Sequence, residues 1–597
     1  MATLVWRFLG KARLLFLRSA SFLQKKKRGI CGILCLPASN LQKTNPFLFS
    51  HPDSKKAMQK PYFSLALLLA IFALFSGCQN GTYSRSEQKA EVAEYQVAPT
   101  MAYEEMPAKL AEPKDAVVEM PQENTNEFTQ IVDNKFVKVG DEALSTFSID
   151  VDNASYALMR NAIENGILPQ KDRIRIEELV NYFEYDYPNP KGEHPFSIST
   201  EITDAPWNSK HKLVHIGLQG KQVDYENLAP SNLVFLIDAS GSMQDENKLP
   251  LLKSSLKLLL DQLSEKDRVA IVVYASAAGE ILPSTPASEK DKILSALDNL
   301  EAGGSTAGGA GIQLAYKIAK ENFIAGGNNR VILCTDGDFN VGVSSAEDLV
   351  SLIEQKRDDH IFLTLCGFGM GNYKDRQMEA LSNAGNGNYY YIDNVQEAKK
   401  VFVRQMRGTL FTIAKDVKVQ VEFNPAQVQA YRLIGYENRM LNKEDFNDDK
   451  KDAGELGAGH SVTALYEIIP VGVKSEFLPS VDDLKYQKNE KSTYTAAAAS
   501  DEILNLKLRY KKPKEDTSKL IVQPLLNKSV ALSEASENLR FAASVAELGL
   551  ILRDSPYKAQ ANYAQVLDLA KNALGKDSQG DRAEFVKLAE SCMMLAK

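Results

Sequence analysis

The spacing of apolar residues changes period along this chain, and each change marks a part. Ala157, Met159, Ala162 and Ile163 recur at helical spacing behind Asn153, a residue suited to cap a helix, and Gly166 and Pro169 stop the run. Ile176, Leu179, Val180 and Phe183 predict a second helix that ends before Pro188. The period then falls to two. Phe196, Ile198 and Thr200 alternate, as do Val214, Ile216 and Leu218, which predicts strands.

From 231 to 405 the pattern is an apolar run, a loop and an amphipathic stretch, repeated. Leu233 to Ile237 reads as a buried strand, and Leu249, Leu252, Leu256, Leu259, Leu260 and Leu263 as one face of a helix. Val269 to Tyr274, Val331 to Cys334 and Ile361 to Cys366 are further buried-type strands with helices between them. The alternation predicts an α/β fold: a doubly wound, Rossmann-like, mostly parallel sheet with helices on both faces. Beyond 410 the two-residue period returns in Val417, Val419, Val421 and Phe423, in Val462, Ala464, Tyr466 and Ile468, and in Leu504, Leu506, Leu508 and Tyr510. The strands before 220 are too few to make a stable sheet alone. Residues 195–220 and 415–510 are therefore expected to form one β-domain interrupted by the α/β unit. Three helical stripes close the chain, led by Phe541, Tyr563 and Phe585, and read as packing faces.

The amino terminus is of another kind. Tyr62 to Phe75 is an apolar run broken only by Ser64 and preceded by Lys55, Lys56 and Lys60. It is short for a spanning helix, which needs about 20 residues, and suits the core of an export signal. The run leads into Leu74-Phe75-Ser76-Gly77-Cys78, which resembles a bacterial lipoprotein cleavage site. That resemblance implies that Cys78 is the first mature residue and carries a lipid; Phe75 departs from the usual small or aliphatic residue at its position. Met58 opens such a signal by itself, so residues 1–57 read as a leader from a start assigned too far upstream. Residues 78–140, rich in Glu, Gln, Pro, Ala and Asn, read as a flexible tether, with low order until Phe147. The expected parts are thus the leader (1–57), the signal (58–77), the tether (78–140), a helix-then-strand region (145–230), the α/β unit (231–405) and a β-rich region with a helical segment (410–597).

Charge sharpens this division. The whole chain carries −7, with 44% apolar and 25% charged residues, which excludes a polytopic membrane protein, a collagen-like fibre and a wholly disordered chain. Residues 1–77 hold 12 Lys and Arg against one acid, Asp53, so the remainder is near −18. An acidic mature chain argues against nucleic acid as a partner. Outside Cys31, Cys35 and Cys78 only Cys334, Cys366 and Cys592 remain, too few for a disulfide scaffold and without zinc-site spacing.

The chemistry concentrates after the first strand of the α/β unit, in Asp238-Ala239-Ser240-Gly241-Ser242. A carboxylate and two hydroxyls leave a buried strand at the sheet edge where open α/β folds bind ligands. Hard cations take oxygen ligands, and Mg²⁺ wants six. The glycine-rich loop Gly303 to Gly309 brings Thr306, ahead of a helix expected near Ala310, and Asp336 leaves the strand Val331 to Cys334. Five oxygen donors from three strand-end loops are expected to meet.

At these residues the chain resembles a von Willebrand factor type A domain and its metal-ion-dependent adhesion site. Asp238, Ser240, Ser242, Thr306 and Asp336 fill the pattern Asp-x-Ser-x-Ser, then Thr, then Asp, in order. The resemblance implies one divalent cation, Mg²⁺ or Mn²⁺, whose open position takes an Asp or Glu of a partner protein. The segments Phe147 to Asn153, Arg175 to Phe183, Ile216 to Lys221, Gly435 to Arg439 and Gly457 to Tyr466 resemble bacterial YfbK-like proteins, so that the likeness runs from about 145 to near the end.

Enzyme readings find less support. The glycine-rich loop lacks the Gly-Lys-Ser/Thr ending of a phosphate loop, Gly367 to Gly371 reads as a turn, and no Gly-x-Ser-x-Gly or His-Glu-x-x-His occurs. His460 reads as a hydrogen-bonded turn residue, and Asp150 and Asp152 as capping or solvated loop acids. The expectation is a non-enzymatic, lipid-anchored binding protein of the bacterial cell envelope, at the outer membrane and facing either the periplasm or the surface. The alternative is a structural or chaperone-like subunit with a purely structural metal, and the remote one a metal-dependent hydrolase.

Overall fold

The structure is a computed structural model, and it describes residues 130–223, 229–304, 308–337, 346–370, 374–409, 411–478 and 494–597. The leader, the export signal, Cys78, most of the tether and Thr306 lie outside the described residues. Among the described residues no helix is long and apolar enough to cross a membrane.

The chain begins with β1 (Val137–Lys138) and β2 (Leu144–Ser148), helices α1 (Ala154–Glu164) and α2 (Ile176–Asn181), and strands β3 (Phe196–Ala205) and β4 (Asn208–Gly220). The α/β unit follows: β5 (Ser231–Asp238), α3 (Leu249–Leu260), β6 (Arg268–Tyr274), β7 (Ala278–Pro286), α4 (Lys290–Asp298), α5 (Gly308–Glu321), β8 (Asn328–Thr335), α6 (Ala346–Asp358), β9 (Phe362–Phe368), α7 (Asp375–Ala384) and β10 (Tyr389–Ile392), then the short helices Val395–Lys399 and Met406–Thr409. Strands β11 (Thr412–Phe423), β12 (Val428–Ile434), β13 (Gly454–Gly457), β14 (Ser461–Pro470), β15 (Glu502–Lys511) and β16 (Lys519–Leu526) come next, and helices α8 (Glu537–Leu552), α9 (Tyr563–Lys571) and α10 (Asp581–Leu595) close the chain.

The α/β unit is one six-stranded sheet in the order β10-β9-β8-β5-β6-β7. All neighbours are parallel except the edge pair β6 and β7, whose exposed antiparallel hairpin the apolar pattern does not reveal. Strand β5 is apolar throughout because both of its faces are covered. On one side Leu233, Phe235 and Ile237 pack with Leu252, Leu256 and Leu259 of α3; on the other Val234 and Leu236 meet Ile312 and Ala315 of α5. The chain goes from β5 outward to β6 and β7, then returns to β8 on the opposite side. The carboxyl ends of β5 and β8 therefore flank the point where the winding reverses, which is where such sheets bind ligands.

The β-rich part is built from strands on both sides of the insertion. Sheet β1-β12-β14-β4-β3 faces a second sheet in which β11 pairs β13, β15 and β2, and β15 pairs β16. Val214, Ile216 and Leu218 pack with Val417, Val419, Val421, Leu504, Leu506 and Leu508 between them. The outer face of the first sheet, including Leu213 and Leu465, is covered by α2 and α8, with Leu179, Phe541 and Val545 in the same core.

Three expectations change. Order begins before Phe147: the Asn134 side chain donates to the carbonyls of Leu433 and Gly435, and β1 and β2 join opposite sheets. Strand β2 hides from a hydrophobic reading because three of its four buried residues are polar, Phe147 being the exception, with Ser145 accepting from Tyr466 and Thr146 from Gln420. Asp152 neither caps α1 nor faces solvent. It is 2% exposed, accepts the Tyr389 N–H at 2.8 Å and pairs with Arg439 at 3.0 Å, tying the segment before α1 to β10. Helix α5 starts at Gly308, two residues before the expected Ala310.

Candidate metal centre

Strand register brings the acidic end of β5 beside its neighbours. Asp238 stands opposite Tyr274 of β6, and Ile237 opposite Cys334 of β8, one residue short of Thr335. Tyr274 and Thr335 both donate to Asp238 Oδ2 at 3.2 Å, and the Ser240 N–H donates to Oδ1 at 2.9 Å. The carboxylate is thus fixed by three donors from three elements and is fully buried. Burial pushes its carboxyl above the usual range; hydrogen bonds from Ser240 and Thr335 pull it back, and the charge of Asp336 adds to the rise.

The turn after β5 holds the hydroxyls together, with Ser240 Oγ 3.0 Å from Ser242 Oγ. The glycine-rich loop is stitched to this turn: the Gly303 N–H donates to the Ala239 carbonyl at 2.8 Å, and Gly241 N–H to the Gly304 carbonyl at 3.0 Å. Gly304 has φ +85° and lies against Ser276, so a side chain there is excluded on both counts. The described part of the loop therefore runs beside the turn to within two residues of Thr306, which itself lies outside the described residues.

Asp336 follows β8 and is 5% exposed. Its Oδ2 accepts from Lys248 Nζ at 3.1 Å, while its Oδ1 is buried and has no hydrogen-bond partner among the described residues. An anionic oxygen left bare in a buried place is costly, and a cation is the natural group to satisfy it. The donor set has hard oxygens only: two carboxylates and two hydroxyls on the described residues. That suits Mg²⁺ or Mn²⁺ and does not suit zinc or copper, which favour nitrogen and sulfur. Among the described residues no group of three or more His, Cys, Asp or Glu is arranged for a metal, so this hydroxyl-rich set stands apart from carboxylate and imidazole sites.

Four of the five residues expected at the site are described, and Asp238, Ser240 and Ser242 share one turn, with Lys248 joining Ser242 to Asp336. Sequence reasoning missed Lys248, Tyr274 and Thr335. Thr335 was readable as the residue before Asp336; Lys248, in a polar stretch six residues after Ser242, carried no signal. His460 lies far from the site in sequence and topology. Its backbone N–H bonds the Gly457 carbonyl in a turn, and burial lowers its imidazole below the usual range. Cys334 and Cys366 are buried free thiols.

The family described as "von Willebrand factor type A domain" matches residues 232–404, and "Uncharacterized protein YfbK, C-terminal" matches 408–595; "von Willebrand factor" matches 122–215. "Uncharacterized protein YfbK" of Escherichia coli (strain K12) is 43% identical over 460 residues, covering 76% of this chain and 78% of the relative. "Inter-alpha-trypsin inhibitor heavy chain H4" of Homo sapiens is 30% identical over 167 residues, covering 26% of this chain and 18% of the relative. Among solved structures, von Willebrand factor type A from Catenulispora acidiphila aligns at 14% identity and a TM-score of 0.34, covering 76% of this chain and 90% of that one.

Proposed function

The chain belongs to the YfbK family, and from that premise we propose that it is a lipid-anchored binding protein of the bacterial envelope that captures an acidic side chain of a partner protein through a divalent cation. Its α/β unit is a von Willebrand factor type A domain, a protein-interaction module. The observation that carries the metal reading is the bare, buried Oδ1 of Asp336 beside the fixed carboxylate of Asp238 and the paired hydroxyls of Ser240 and Ser242. Asp238, Ser240, Ser242, Thr306 and Asp336 would hold Mg²⁺ or Mn²⁺. Such a cation supplies an open position for an oxygen of the partner.

The chain's own residues orient the site. Tyr274 and Thr335 fix one oxygen of Asp238 and Ser240 the other, so the carboxylate has one pose before any ligand arrives. The anchor and the envelope location are supported by the export signal and Cys78 in the sequence.

The test is calorimetric titration of the full chain with Mg²⁺ and Mn²⁺. Asp238→Ala is expected to abolish binding with an unchanged circular dichroism spectrum, and capture of partners from envelope extract is expected to require metal and to vanish with EDTA. Metal binding that survives Asp238→Ala overturns the site. An unmodified Cys78 in the mass of the mature protein overturns the anchor.

A further inference from the structure

Lys248 stands among the site residues without belonging to the five-residue pattern. Its Nζ donates to the Ser242 carbonyl at 2.9 Å and to Asp336 Oδ2 at 3.1 Å, and lies 3.6 Å from Asp245 Oδ2. The residue is 7% exposed. It occupies the position before α3, where its carbonyl accepts the Leu252 N–H at 2.8 Å. The start of a helix carries partial positive charge, an unfavourable place for an ammonium unless carboxylates compensate it. The fold also makes room for the stem. Gly369, just after β9, has φ +67°, and a Cβ there would stand 2.7 Å from Lys248 Cγ. The turn after β5, the end of β8 and the turn after β9 thus seat one buried cation beside the site.

Its consequence is a charge count. The buried groups Asp238, Asp336 and Lys248 together carry −1; Asp245, whose side chain is 72% exposed, is screened by solvent and left out of the count. A divalent cation takes this set to +1, and one carboxylate brings it to zero. Without the lysine the loaded site would already be neutral overall, and its preference for an anion over a neutral oxygen would be weaker. Lys248 also repels the incoming metal at short range.

We infer that Lys248 determines specificity at this site: it weakens the hold on the divalent cation and makes the loaded site select a carboxylate over a neutral ligand. This rests on the metal reading above. The test uses Mn²⁺ alone, followed by electron paramagnetic resonance, and then acetate against acetamide on the Mn²⁺-loaded full chain. Lys248→Met is expected to bind Mn²⁺ roughly tenfold tighter and acetate roughly tenfold weaker, with acetamide unchanged. Gly369→Ala, which displaces the stem and keeps the charge, is expected to move both affinities the same way by less. Circular dichroism checks that each variant folds. Mn²⁺ and acetate affinities within about twofold of the natural chain in Lys248→Met overturn the inference and leave the metal reading standing. Weaker Mn²⁺ binding in that variant also overturns it and makes Lys248 a support for the ligands. A natural chain that binds no Mn²⁺ overturns both.

Discussion

Arg160 and Asp336 are buried to a similar degree, at 1% and 5% exposure, yet their surroundings differ. Arg160 leaves α1 and reaches Asp393 at 2.5 Å and Glu397 at 2.7 Å beyond β10, and Glu584 of α10 and the Tyr182 hydroxyl at 3.0 Å each. One guanidinium thereby joins the amino-terminal helices, the α/β unit and the carboxyl-terminal helices. Arg175, just before α2, joins the amino-terminal helices to the α/β unit, pairing with Asp375 of α7 at 2.7 Å and with Glu178. Both arginines of this seam have a carboxylate partner across an element boundary. At the strand ends of β5 and β8, Asp336 keeps one oxygen bare. Buried charge saturated by the chain holds parts together, whereas buried charge left unsaturated is available to something outside the chain.

The comparison breaks most directly at the seam. Arg160→Ala strands Asp393 and Glu397 without a cation, and is expected to cost about 3–5 kcal/mol of stability in urea unfolding. If the seam and the site are independent, the Mg²⁺ affinity of the fraction that remains folded is unchanged.

Next in size is the effect of metal on stability. Mg²⁺ at 100 times its dissociation constant is expected to add about 2.7 kcal/mol to unfolding. Asp336→Asn is expected to remove that increment in a thermal melt, and to move the metal-free midpoint by no more than about 2 °C, since relief of the repulsion from Asp238 offsets the lost pair with Lys248. A metal-free midpoint lowered further would show that Asp336 serves the fold after all.

The smallest effect tests a carboxyl that sits between the two cases. Glu177 of α2 is buried, and its Oε2 has no hydrogen-bond partner. Burial, reinforced by Glu437 and opposed by Arg553, pushes its carboxyl up to about 7. A carboxyl raised in the folded chain binds its proton more tightly there than when unfolded. Its contribution to stability is therefore full below the unfolded value near 4.5 and is lost as pH rises through about 7. Glu177→Gln removes this titration and is expected to flatten the fall of the melting midpoint between pH 5 and 8, by about 1–3 °C. An unchanged pH profile would assign the fall to other groups.

The α/β unit was legible because its buried strands are continuous apolar runs and its helices carry regular stripes; Leu233 to Ile237 and the leucines of α3 admit few other readings. The candidate site stood out because its residues are chemically distinctive and Asp238 and Asp336 lie at strand ends; the glycine-rich loop, expected at a third strand end, follows helix α4 instead. Strands β2 and β7 were hidden for opposite reasons. Strand β2 buries serines and a threonine that hydrogen bonds satisfy, and β7 is an edge strand whose exposed positions carry no apolar signal. Lys248 and the seam arginines were hidden because charge pairing across 88 positions for Lys248 and Asp336, and across 200 or more for Arg160 with Asp393 and Arg175 with Asp375, leaves no local trace. Asp152 illustrates the limit: an acid next to a helix start reads as a cap, and only Tyr389 and Arg439, both distant in sequence, reveal its role.

The α/β unit leaves and rejoins the β-rich part at one turn. The His460 carbonyl accepts from Gly220 and the Lys221 carbonyl from Gly459 on the outgoing chain, while Ala458 donates to Phe411 on the returning one. A Cβ at Gly220 or Gly408 would stand 2.9 Å from a carbonyl oxygen of the same turn, so both crossings press against it. This has a mechanical meaning. Force applied between the strand ends of β5 and β8 and the β-rich part loads two chain crossings and the arginine seam in parallel. At this junction no single peptide strand bears the whole tension, and the unit is braced like a bracket fixed at two bolts.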